Sequence, residues 1–258
     1  MSVTTFVRNG DVQLCVQRIG KGRRHLLFAH GWISARRMWY DVTSALDPDE
    51  YSMHLMDFRG CGSSDRPMEG HDLQGYASDL RAVIAAIGEP LTLVGHSMGG
   101  KIAQYVAAER VELLKRLVLV APGSAKAVRF NERHRQMSLD AFGSRERIEA
   151  FQRAAMVRAI PPATLERIVD DALTGQREAW FGWYDRGRSV DFSDRLSEID
   201  IPTVAVAGGK DPLAPPSRVK SDVAEKINGC LFVMLRNAGH NLPVETPAEV
   251  AGVIQRFQ

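Results

Sequence analysis

Short apolar runs alternate with longer segments of helical spacing over most of the chain. Val3 to Val7 and Val12 to Ile19 flank Asn9-Gly10-Asp11, which is the turn chemistry of a hairpin. Leu26 to Ala29, Ser52 to Met56, Leu91 to Val94 and Leu117 to Val120 are short and apolar on both faces, as strands buried in a parallel sheet are. Helical patterns lie between them. One starts near Arg37 and carries Met38, Trp39, Val42 and Leu46 inward. Another places Leu73, Tyr76, Ala77, Leu80, Val83, Ile84 and Ile87 on one face and is stopped by Gly88 and Pro90.

This alternation predicts an α/β fold with a mostly parallel sheet covered by helices on both sides. It breaks after Val120. From 125 to 198 no strand-like run occurs, only helical spacing at Ile148-Phe151-Ala155, Leu165-Ile168-Val169-Ala172 and Trp180-Trp183-Tyr184. Strand and helix signals then resume with Thr203 to Gly208, Ser217 to Ile227, Leu231 to Leu235 and Pro247 to Phe257. The expected organisation is one core, residues 1–124 and 199–258, with a helical cap, 125–198, inserted after the sixth of eight strands. Charges of both signs in the insertion fit solvated helix faces.

Composition mainly excludes. The 258 residues carry a formal net charge of +2, with no block of like charge and no basic amphipathic helix, so neither nucleic acid nor a membrane surface is expected as a partner. No apolar run approaches the ~20 residues of a membrane span, and the first residues lack the charged-then-apolar pattern of a secretory leader. Cys15, Cys61 and Cys230 stand far apart in no metal or redox spacing, which suits a reducing, cytoplasmic compartment. Neither a metal-ligand cluster nor a dinucleotide or phosphate-loop fingerprint is present, so no cofactor is expected.

Candidate chemistry centres on Leu91 to Gly100. The apolar run ends in Gly95-His96-Ser97-Met98-Gly99, and a helical segment follows at once. A strand, a tight turn and a helix in that order make a nucleophile elbow, with Ser97 at its tip and glycines where a Cβ would clash. A serine hydroxyl needs a base, and the base needs a carboxylate to fix its tautomer. In open α/β sheets the reacting groups gather beyond the carboxyl ends of strands. That rule selects His240, after Leu231 to Leu235, and Asp211, after Thr203 to Gly208. The backbone N–H groups of Met98 and Trp32 are the candidate oxyanion donors. His30 is expected to brace the Trp32 loop, and His96 to pack away from the site. His25, His54, His71 and His134 are expected to be structural or surface groups. Arg59 is expected to form a salt-bridged turn with Asp57 and Asp65. Trp180, Trp183 and Tyr184 share one helical face and are candidates for the pocket wall.

Together these pieces resemble the α/β-hydrolase superfamily, in its serine branch with a helical cap. The resemblance rests on His30-Gly31-Trp32, Asp57 to Asp65, Gly95 to Gly100, Gly208 to Pro212, and Ala238-Gly239-His240 with Glu245 and Pro247. It implies hydrolysis of an ester-type bond in a small, largely apolar substrate through an acyl-enzyme. Dehalogenases and epoxide hydrolases of this superfamily use aspartate where this chain has Ser97. Carbon–carbon bond hydrolysis, perhydrolysis, acyl transfer and a slowly turning-over small-molecule receptor are the other activities the resemblance allows.

Overall fold

A computed structural model of the chain describes residues 2–128 and 132–258, with only the backbone of Arg133 and His134. The expectation for the His134 side chain lies outside the described residues. The first half runs β1 (Ser2–Asn9), β2 (Val12–Ile19), β3 (Arg24–Ala29), α1 (Tyr40–Ser44), β4 (Tyr51–Met56), α2 (Leu73–Ile87), β5 (Leu91–His96), α3 (Met98–Ala107) and β6 (Leu114–Val120). Four helices follow without a strand among the described residues: α4 (Glu132–Asp140), α5 (Arg145–Ala155), α6 (Pro162–Leu173) and α7 (Arg177–Asp185). The chain then returns through β7 (Thr203–Gly208), α8 (Pro216–Asp222), β8 (Leu231–Leu235), α9 (Leu242–Glu245) and α10 (Pro247–Arg256).

The eight strands form one sheet in the order β1-β2-β4-β3-β5-β6-β7-β8. Its β1–β2 and β2–β4 pairings are antiparallel and the other five are parallel. Side-chain alternation divides the core into two layers. Leu27 and Ala29 pack with α2 and α3 on one face; Leu26 and Phe28 pack with α1 and α10 on the other. A third apolar cluster joins α4, α5, α6 and α7 and reaches the core through Ile33 and Val244. The cap therefore sits over the carboxyl edge of the sheet.

Local chemistry sets the element ends. The Asp72 side chain accepts from Gly75 N–H at 2.9 Å and starts α2, while Gly88, at φ 68°, ends it. The helix expected from Arg37 is instead a 3₁₀ turn, Arg36–Trp39, leading into the short α1. Its start is tied to the core, since Arg36 N–H donates to Asp57 at 2.7 Å. The four residues of α9 carry no periodic signal of their own and were not expected.

Candidate active site

Ser97 stands between β5 and α3 with φ 50° and ψ −111°, a conformation costly for any residue with a Cβ. Its own backbone holds it there. Ser97 N–H donates to Val120 O at 3.1 Å, and Ser97 O accepts from Lys101 and Gly123 N–H at 3.0 and 2.9 Å. A Cβ on Gly95 would lie 2.6 Å from Gly99 O, and one on Gly99 would lie 2.5 Å from Ala29 O. Both positions need glycine because strand and helix backbones meet there.

His240 and Asp211 come to Ser97 from the loops after β8 and β7. Ser97 Oγ lies 2.9 Å from His240 Nε2, and His240 Nδ1 lies 2.7 Å from Asp211 Oδ2. A carboxylate only accepts, so the proton belongs on Nδ1 and Nε2 is left to accept from the serine hydroxyl. The other oxygen, Asp211 Oδ1, accepts from Leu213 and Ala214 N–H at 2.7 and 2.8 Å. Burial pushes the Asp211 carboxyl up, but His240 and those two N–H groups outweigh it and hold the acid below its usual range. The three residues share one hydrogen-bonded line, able to draw a proton from the hydroxyl and stabilise the resulting imidazolium.

The residues that carry the two candidate oxyanion donors both border the Ser97 cavity. Met98 opens α3, so its N–H has no acceptor four residues back within the helix. Trp32 lines the Ser97 cavity from the loop after β3, and a Cβ on the neighbouring Gly31 would sit 3.4 Å from Ser97 Cβ. His30 does brace that loop. Phe58 N–H donates to His30 Nε2 at 3.1 Å, which places the proton on Nδ1, bonded to Gly31 O at 2.8 Å. The Trp32 indole N–H donates to Trp180 O at 2.9 Å, so this loop also holds the cap.

A cavity of about 140 Å³ opens beside Ser97 and His240. Trp183 and Tyr184 line it, as the sequence led us to expect, but Trp180 does not. Trp180 lies within the cap cluster, its indole N–H donating to Ser138 O at 3.1 Å and its ring 5.3 Å from that of Trp32. Packing α7 onto α4 occupies it. Phe151 and Leu213 stand between the cavity and an outer trough of about 480 Å³ along α4 and α5.

Two further expectations need correction. Arg59 pairs with neither Asp57 nor Asp65. Its Nε donates to Asp79 of α2 at 2.8 Å, Asp57 pairs with Arg36, and Asp65 accepts from Gln13 N–H at 2.8 Å. The loop closes through Ser63 N–H on Asp57 and Gly60 N–H on Asp65 O, at 2.9 and 2.8 Å, and its charged side chains find their ion-pair or hydrogen-bond partners on neighbouring elements. His96 does not point away from the site: its ring lies 5.1 Å from that of His240, and its Nε2 lies 3.0 Å from His240 O. Burial, and then the nearby His240, depress its pKa to about 3, so it stays neutral and donates this bond from Nε2–H.

Two buried groups carry work that the sequence reading missed. Lys101, on the first turn of α3, sends its ammonium to the carbonyls of Lys126, Arg188 and Val190 at 3.1, 3.0 and 2.7 Å, tying the elbow helix to both stalks of the cap. Its position four residues after Ser97, as the one charged side chain of α3, was the available signal. Glu245, five residues after His240, accepts backbone N–H groups from the cap and the base loop alike.

A central parallel sheet with a serine after its fifth strand, an acid after its seventh and a histidine after its eighth defines a class of α/β enzymes built around an activated serine. Residues 24–247 match the family described as alpha/beta hydrolase fold, and the chain belongs to that family. It is 29% identical to YisY, an AB hydrolase superfamily protein of Bacillus subtilis strain 168, with 95% of each chain covered. It is 27% identical to a non-heme haloperoxidase of Rhodococcus erythropolis, covering 76% of this chain and 77% of that protein. An esterase from Exiguobacterium antarcticum superposes with a TM-score of 0.91 over 99% of both chains at 21% identity, a likeness of fold. The protein is an α/β-hydrolase-fold enzyme. Among the described residues, no helix is long and apolar enough to cross a membrane.

Proposed function

We propose that this enzyme is a serine hydrolase that cleaves an ester-type bond, whether carboxylester, lactone or thioester, in a small and largely apolar substrate. The observation that carries the reading is the continuous Ser97–His240–Asp211 hydrogen-bonded line at the floor of the cavity. Ser97 Oγ attacks the carbonyl carbon while His240 Nε2 takes the hydroxyl proton. The bond to the leaving group then breaks, and His240 returns that proton to it. Water next attacks the acyl-serine, giving a proton to His240; the proton returns to Ser97 as the acid leaves. Trp32 and Met98 N–H groups hold the oxyanion in both halves, and Asp211 keeps His240 in its working tautomer. Residues 125–198 act as the substrate-selecting cap, with Trp183 and Tyr184 as pocket wall.

Fluorophosphonate labelling with peptide mapping, followed by a p-nitrophenyl ester chain-length series, tests this. Label on Ser97 that depends on His240, with turnover peaking at one chain length, is the expected result. Wild-type rates in Ser97→Ala would overturn it. Likeness to the Rhodococcus haloperoxidase supports a second reaction of the same site, in which hydrogen peroxide replaces water and the acyl group leaves as a peracid. Halide oxidation that requires a short carboxylic acid, peroxide and Ser97 would establish that activity.

A further inference from the structure

The catalytic histidine is held on both sides of its side chain, and half of what holds it belongs to the cap. His240 N–H donates to Ala155 O, at the end of α5, at 2.7 Å. Next to it, the Asn241 amide donates to Gln152 Oε1 of α5 at 2.7 Å. At the centre of this junction lies the Glu245 side chain, in a residue 6% exposed. Its Oε2 accepts from Val157 and Arg158 N–H at 2.8 and 3.0 Å, and from Gly239 N–H at 3.0 Å. Its Oε1 accepts from Asn241 N–H at 3.1 Å.

One carboxylate thus binds the residue before His240, the residue after it, and the two residues that follow the end of the cap helix and its Met156 C-cap. The packing leaves no slack, since a Cβ on Gly239 would lie 2.5 Å from Ala155 O. A buried carboxylate that satisfies four N–H donors is a costly way to fill a loop unless their relative placement matters. The Ser97–His240 contact is where that placement is read, because proton transfer requires hydrogen-bond reach in the transition state.

We propose that Glu245 is the positioning residue of the catalytic base, and that through it the end of cap helix α5 forms a fixed part of the catalytic machinery. This rests on His240 being the base, as proposed above. Glu245 touches no reacting atom. It sets the height and orientation of the imidazole over Ser97, and it makes the α5 end of the cap move with the base loop.

The test compares fluorophosphonate inactivation of the full chain in wild type, Glu245→Ala and Glu245→Gln, resolving the maximal inactivation rate from the half-saturating probe concentration. Thermal melting of each variant is recorded alongside. A base displaced by about an ångström costs on the order of 100-fold in rate. The expected result for Glu245→Ala is therefore a maximal rate lower by roughly that factor, with half-saturation within about twofold of wild type. Glu245→Gln keeps one oxygen for the three N–H groups on the Oε2 side and should recover much of the loss.

If Glu245→Ala fails to fold, Glu245→Gln and Gln152→Ala decide the matter, both with slowed maximal rates expected. Folded variants that inactivate at the wild-type rate, or whose loss only tracks the unfolded fraction, overturn the proposal. Wild type that takes no label at Ser97 overturns the serine-hydrolase reading, and this proposal with it. Label on Ser97 in wild type, with no effect of Glu245, overturns this proposal alone.

Discussion

Ser97 and His240, the proposed nucleophile and base, lie 2.9 Å apart and are held by different parts of the molecule. Ser97 is fixed by the sheet: a strand end, a helix start, two obligatory glycines and backbone hydrogen bonds to Val120 and Gly123. His240 is fixed by a loop whose partners include Ala155 and Gln152 of α5 and Val157 and Arg158 just after it, all from the inserted segment. The strained half is built into the most buried layer, where packing holds an unfavourable φ against relaxation. The other half is coupled to the inserted helices, whose proposed role is to select the substrate. Changes in the cap should therefore reach His240 more directly than Ser97, whose helix meets the cap through Lys101.

Substitutions separate the two halves by the size of their effects. Ser97→Ala should lower turnover by up to ~10⁶-fold and abolish labelling without lowering the melting temperature, because the change removes no backbone contact. Asp211→Asn should cost roughly 10⁴-fold in kcat, since an amide lets His240 adopt the wrong tautomer. Retention of the folded circular dichroism spectrum would place that loss in the site and not in the fold.

Lys101→Met probes the link between the halves. It leaves three carbonyls without their ammonium donor and should destabilise the protein by about 3 kcal/mol. Calorimetry should show a melting temperature lower by roughly 8 °C, with limited proteolysis first cutting between 125 and 198. Phe151→Ala should join the cavity to the outer trough, and a p-nitrophenyl ester series should show preference for longer chains rising about tenfold.

The mildest test asks how the core behaves in acid, away from the site. Burial, with the neighbouring His25 and then Arg18, lowers the His54 pKa to about 4. The unfolded chain takes up this proton near pH 6.5 and the folded one does not, so stability present above pH 6.5 is lost as the pH falls toward 4. At pH 5 the loss should be about 2 kcal/mol. His54→Gln should reduce the difference in melting temperature between pH 8 and pH 5, leaving the labelling rate at pH 8 unchanged.

What was legible in the sequence follows the same division. Alternating apolar runs placed the six inner strands to within a few residues, and the elbow announced Ser97 because strain restricts which residues can stand around it. Asp211 and His240 followed from their positions after strands. The partners of Arg36, Arg59 and Glu245 did not, because each lies on another element and the choice depends on how elements pack, which no local pattern encodes. Trp180, a candidate for the pocket wall, lies off the Ser97 cavity for a related reason. Helical spacing places it near Trp183 and Tyr184, yet one turn along the helix separates a ring that meets the cavity from one that packs on α4.

The Glu245 junction also bears on how such enzymes could be recombined. A chimaera that exchanges residues 125–198 for the corresponding helices of another family member crosses no strand, and by the sheet alone it should fold. It would nevertheless replace the segment whose Ala155 carbonyl and whose Val157 and Arg158 amides hold His240 and Glu245 of the recipient's base loop. Grafts that carry the residues around 238–245 together with the foreign helices should keep their chemistry, whereas grafts of the helices alone should inherit a new pocket above a misaligned histidine. The unit of exchange is the cap with its own histidine loop.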